Sequence, residues 1–138
     1  MKKILIIDGQ GGMLGKQIVE NVKKRLPQAE VTAVGANIAA TGNMLKAGAD
    51  NAATGENAVA VCARTADIIA GPVGIAIADS LLGEITPRMA EAVGQSTASK
   101  VLIPVNRCSS IIVGTGGKKT SELIAEAVDT IEKLYCQD

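Results

Sequence analysis

The chain has 138 residues, with fourteen basic and fourteen acidic side chains, no His, Trp or Phe, and a single Tyr, Tyr135. Balanced charge lacks the basic excess of a nucleic-acid binder, and one aromatic ring makes no base-stacking platform. The missing His removes the commonest general base and metal ligand near neutral pH. Cys62, Cys108 and Cys136 are too scattered for a zinc site or a disulfide framework, which predicts free thiols in a reducing compartment.

The length fits one domain, with a core built from Ile, Val, Leu, Met and Ala. The apolar run after Lys3 ends at Asp8, too soon for a signal peptide, and no stretch reaches membrane-spanning length. A cytoplasmic protein is expected.

In chain order, Lys2 to Asp8 is an unbroken apolar run with polar flanks, as in a parallel strand covered on both faces. From about Gly12 to Leu26, Leu14, Ile18 and Val22 recur every four residues against Lys16, Glu20, Lys23 and Lys24, an amphipathic helix stopped by Pro27. Glu30 to Ala36 reads as a second strand, and about Ala39 to Ala47 as a second helix. Asp50 to Gly55 holds a short third strand, followed by a helix over Glu56 to Thr65. Asp67 to Gly71 is a fourth strand closed by Pro72, and Gly74 to Leu82 is either helix or loop. Thr86 and Pro87 open a helix that runs to about Val93 or Ser99. Lys100 to Asn106 is a strand whose Pro104 points to an unpaired edge, Ser110 to Gly114 is a further strand, and a closing helix starts near Thr120. The expected fold class is therefore α/β, a three-layer, Rossmann-like, doubly wound and mostly parallel sheet of five or six strands.

The densest chemical signal is Gly9-Gln10-Gly11-Gly12-Met13-Leu14-Gly15, placed between an apolar strand and an amphipathic helix. A first glycine permits a tight turn, middle glycines let backbone N–H groups reach a pyrophosphate, and the last brings the helix close to the sheet. The helix N-terminus then offers free N–H groups and its positive dipole end to an anion. Candidate cofactor-binding residues are Gly9, Gln10, Gly11, Gly12, Met13, Leu14 and Gly15, with Asn37 after the second strand and Gly71, Pro72 and Val73 after the fourth. The alternatives are another anionic ligand, such as a phosphorylated small molecule, or a strand–helix turn that binds nothing, which a side chain filling the anion position would favour.

A dinucleotide site usually has an acidic residue at the end of the second strand to bind ribose. Here Val34-Gly35-Ala36-Asn37 has none, and Asn37 either bonds ribose hydroxyls or caps the next helix. The choice between NAD and NADP stays open. Gly114-Thr115-Gly116-Gly117-Lys118-Lys119-Thr120 fails as a P-loop, because Ile112 stands where its first glycine belongs and Lys119 where Ser or Thr must follow the lysine. It reads as a loop whose N–H groups touch an anion. Glu84, Thr86 and Arg88 either face the crevice or form a helix cap with solvated neighbours, and Cys108 has no base to pair with.

Gly9-x-x-Gly12-x-x-Gly15 resembles the cofactor loop of extended and atypical short-chain dehydrogenases. Met44-Leu45-Lys46-Ala47-Gly48-Ala49 is similar to their second helix and its exit, and Gly55-Glu56 stands near the place of their adenine-side Gly-Asp pair. That resemblance implies NAD(P), but the catalytic Tyr and Lys four residues apart have no counterpart, since Lys does not follow Tyr135. Over nearly its full length the chain resembles a family of short bacterial proteins known only as a domain of unknown function. Gly35-Ala36-Asn37, Ala53-Thr54-Gly55-Glu56-Asn57, Gly71-Pro72-Val73-Gly74 and Gly83-Glu84-Ile85-Thr86-Pro87 carry the likeness, which implies no activity. The expected function is nucleotide binding, NAD or NADP first, as a sensor or subunit. The alternatives are a small-metabolite enzyme with a site shared across a homo-oligomer, where Glu84, Asn106 and Lys118 would act, and a scaffold whose glycine loop is only structural.

Overall fold

A computed structural model describes residues 1–105 and 110–137. Five strands form one fully parallel sheet: β1 (Lys3–Asp8), β2 (Glu30–Gly35), β3 (Asn51–Thr54), β4 (Ile68–Pro72) and β5 (Ser99–Ile103). Their spatial order is β3-β2-β1-β4-β5. The chain winds outward from β1 to β3 on one side and continues through β4 to β5 on the other, so the winding reverses between β1 and β4. The helices are α1 (Met13–Arg25), α2 (Ile38–Lys46), α3 (Glu56–Thr65), α4 (Pro87–Gln95) and α5 (Thr120–Tyr135).

Strand alternation sorts the core into two layers. Ile4 and Ile6 of β1 pack with Ile18, Val19 and Val22 of α1, Met44 of α2 and Ile124 and Ile131 of α5. Leu5 and Ile7 face the other way, against Val59 and Ala63 of α3 and Met89 and Val93 of α4. Both faces of β1 are therefore covered, which explains its unbroken apolarity. The aliphatic core is realised, and its largest fully buried side chains are Ile, Leu and Met.

Several expectations are corrected at their edges. Pro72 does not end β4 from outside. It lies within the strand and pairs with Ile103. Gly71 is required there, since a Cβ would lie 2.2 Å from the Ile7 carbonyl oxygen of β1. Residues 74–82 form neither a long helix nor an open loop: a 3-10 turn, Val73–Ala76, leads into tight turns. β5 stops at Ile103, because Pro104 has no N–H to continue a ladder. The expected strand at 110–114 does not form, and the described residues there run as turn and coil. β5 is thus the sheet edge, beside a hollow of about 300 Å³ under α5 that Ile112 and Val113 help to line. Two Gly-containing turns, with Gly114, Gly116 and Gly117 all at positive φ, occupy the stretch where a sixth strand was expected.

Candidate functional site

β1 delivers Asp8 to the carboxyl end of the sheet, 5% exposed. Its carboxylate accepts from the Gly9 N–H at 2.8 Å and the Gly15 N–H at 2.7 Å. These two bonds tie the end of the strand to the first turn of α1, with Gly9–Gly12 spanning the gap. Gly12 closes the loop at φ 69, where a Cβ would sit 2.6 Å from the Ala40 Cα. A Cβ on Gly15 would lie 2.6 Å from the Met44 sulfur and 2.8 Å from the Asp8 Cβ. Both glycines are demanded by the close approach of α1 to α2 and β1. Gly11 is exposed, and its Cβ position meets only the Met13 Cγ, at 3.8 Å.

α1 begins without a side-chain cap and without an acidic residue in its first turn. No described residue accepts from the Met13 or Leu14 N–H. Two other helix starts are closed by side chains, the Asn37 Oδ1 accepting from the Ala40 N–H of α2 at 2.9 Å and the Thr86 Oγ1 from the Met89 N–H of α4 at 3.1 Å, whereas α3 starts at Gly55 without a side-chain cap. Asp8, from β1, takes the Gly15 N–H of this turn, and the Met13 and Leu14 N–H groups are the donors it leaves open.

Beside this turn lies a cavity of about 340 Å³, lined in part by Asp8, Gln10, Met13, Leu14, Pro72 and Lys118. It opens where β1 and β4 diverge, the crevice in which doubly wound sheets hold ligands. Lys118 comes from the loop before α5. Its ammonium donates to the Glu126 carboxylate at 2.9 Å, and that bond raises its pKa above the ordinary lysine value. It is a permanent cation at neutral pH. Among the described residues, no group of three His, Cys, Asp or Glu side chains is placed to hold a metal ion. No helix among them is long and apolar enough to cross a membrane.

The other candidates fall into three places. Gly9, Gln10, Met13 and Leu14 border the cavity, whereas Gly11 faces solvent, and Gly12 and Gly15 pack beneath the loop. Of Gly71, Pro72 and Val73 only Pro72 reaches the cavity. Asn37 sits on the β2 side, where its amide donates to the Gln10 carbonyl at 2.9 Å and to the Glu84 Oε2 at 2.7 Å while its Oδ1 caps α2. Arg88 turns away, its guanidinium 3.4 Å from Glu56 of α3. The Thr86 hydroxyl, then Arg88, holds the Glu56 carboxyl below its ordinary value. Cys62 is half-buried, and burial pushes its thiol up, away from reactivity. Asn106, Arg107 and Cys108 lie outside the described residues.

Glu84 is the residue whose role the sequence did not place. Its Oε1 accepts from the Gln10 N–H at 2.5 Å, so a carboxylate from the β4–α4 connection reaches the glycine loop. It stands beside the end of β2, where the sequence has no acid. Glu84 is 47 positions from Asn37, and no local pattern joins them.

A family model described as a domain of unknown function (DUF3842) matches residues 3–136. No curated protein matches the chain. Among solved structures, a dodecameric FMN-dependent UbiX-like decarboxylase from Escherichia coli O157:H7 is similar at a TM-score of 0.56 and 16% identity, over 94% of each chain. AibC is similar at a TM-score of 0.50 and 18% identity, over 96% of this chain and 42% of that one. At these identities the likeness is one of fold, and it agrees with the parallel α/β architecture.

Proposed function

The chain belongs to the family described as domain of unknown function DUF3842, and we propose that it binds the phosphate of a nucleotide in the crevice between β1 and β4. The observation that carries this reading is the start of α1, whose Met13 and Leu14 amides meet no acceptor among the described residues, at a 340 Å³ cavity that Lys118 also lines. Two free amides and an ammonium supply donors and positive charge to a phosphate. Asp8 does not compete for the same amides, because its oxygens are committed to Gly9 and Gly15. The similar decarboxylase is described as FMN-dependent, which makes FMN a natural first probe beside AMP, ATP, NAD and NADP.

A specific observation also favours the plain reading of the loop as a structural turn. Carboxylates already take three of its amides: Asp8 those of Gly9 and Gly15, and Glu84 that of Gln10. What separates the two readings is the fate of the Met13 and Leu14 amides. Thermal unfolding with each nucleotide and with inorganic phosphate tests this. A ligand at about a hundred times its Kd adds roughly 2.7 kcal/mol to stability. The phosphate reading expects a rise in Tm that Lys118→Ala diminishes, and a flat response to every probe at millimolar concentration would sink it.

A further inference from the structure

The turn over residues 81–84 presses directly on the glycine loop. A Cβ on Gly9 would lie 2.8 Å from the Glu84 Oε1 and 2.9 Å from the Leu81 Cδ1, so that face of the loop already has occupants. The Glu84 carboxylate then takes the Gln10 N–H and the Asn37 amide together. Those are two of the polar groups on the β2 side of the loop, the side on which a dinucleotide site binds a ribose.

This turn is strained and firmly held. Asp79, Leu81 and Leu82 all adopt φ between 56° and 65°, a region that branched side chains such as leucine rarely enter. Backbone bonds from Asp79 N–H to the Ile85 carbonyl at 2.7 Å and from Ile85 N–H to the Ser80 carbonyl at 3.2 Å close it, and Ser80 anchors it by donating to the Gly74 carbonyl. Leu81 and Ile85 are buried beneath it. Such geometry persists only where its surroundings over-determine it.

The space left open lies on the β4 and β5 side, and at about 340 Å³ it is at the small end of ligand sites. We propose that the Leu81–Glu84 turn is a wall that closes the β2 side of the glycine loop, so that the site admits a phosphate monoester of mononucleotide size and rejects dinucleotides. Leu81 fills the volume, and the Glu84 charge repels a phosphate brought to that side. This inference rests on the phosphate reading above and adds the size class of its ligand.

Calorimetric titration of the full chain with AMP, FMN and NAD tests it, repeated on Glu84→Ala and on Leu81→Ala/Glu84→Ala with the fold checked by circular dichroism. The wild type is expected to bind AMP or FMN at least tenfold more tightly than NAD. The double variant is expected to bring NAD within about threefold of the better mononucleotide. NAD binding to the wild type as tightly as AMP and FMN overturns the wall while leaving the phosphate reading intact. Folded variants that still discriminate as the wild type does also overturn it. Binding of none of the three by the wild type overturns the phosphate reading, and the wall with it. The wild-type ratio decides even if the double variant fails to fold.

Discussion

In the loop after β1, a Cβ on Gly12 or Gly15 would lie 2.6 Å from a neighbouring atom, whereas around Gly114, Gly116 and Gly117 it would meet none of the described residues within 4 Å. The first loop uses glycine because two helices and a strand converge on it. The second uses glycine because its backbone turns through positive φ, at 86°, 61° and 70°. Similar composition therefore serves packing in the first loop, together with a left-handed backbone at Gly12, and backbone conformation alone in the second. The packed loop is held between α1, α2 and β1. The open loop is a rim that brings Lys118 to the cavity.

The largest effect that would break this contrast is at Gly15. Gly15→Val forces a branched side chain against Met44 and Asp8, and urea unfolding is expected to find a loss of about 3 kcal/mol or more. A loss under about 1 kcal/mol would mean that α1 does not sit as close as described. Next is Asp8→Asn, which removes the charge from two short bonds and turns a donor towards one of the amides. A loss of roughly 2 kcal/mol is expected in the same assay. Gly116→Ala carries only the left-handed backbone cost, about 1 kcal/mol, with no packing penalty. If it proved as damaging as Gly15→Val, the open loop would have to be packed after all.

The smallest effect lies away from both loops, at Asp50. Its carboxyl pKa is lowered first by the Val31 N–H at 2.8 Å and then by Lys23 at 3.0 Å. A lowered folded pKa means stabilisation that is present above the ordinary carboxylate value of about 3.9 and is lost as pH falls through the folded one. The pair is partly exposed and screened, so Asp50→Asn should cost no more than about 1 kcal/mol at pH 7. Stability curves of variant and wild type should converge in acid. A gap that stayed constant down to pH 2 would show that the charge is not its cause.

How far the sequence reached follows the same divide between local and distant contacts. The strand–loop–helix unit at residues 3–25 was legible because apolar runs, glycine spacing and helical periodicity are local signals. So was the Thr86-Pro87 start of α4, where the cap lies within four residues. The supposed strand at 110–114 misled because Ile111, Ile112 and Val113 look like a strand, although a ladder also needs a partner, and Ile111 and Val113 are left exposed. Glu84 was recognisable as a carboxylate near the crevice, but its reach to Gln10 spans 74 positions and depends on a turn with three left-handed non-glycine residues. Asp8 read as a strand end. Its grip on Gly15 appears only when α1 folds back over β1.

The most direct test of the proposed phosphate site is an amide-resolved NMR titration of the isotopically labelled chain with AMP and FMN. The Met13 and Leu14 N–H resonances should move most, with smaller shifts around Lys118, and inorganic phosphate should reproduce part of the change. Saturating nucleotide that leaves Met13 and Leu14 unmoved, or shifts confined to a surface remote from α1, would contradict a phosphate seat at the start of that helix.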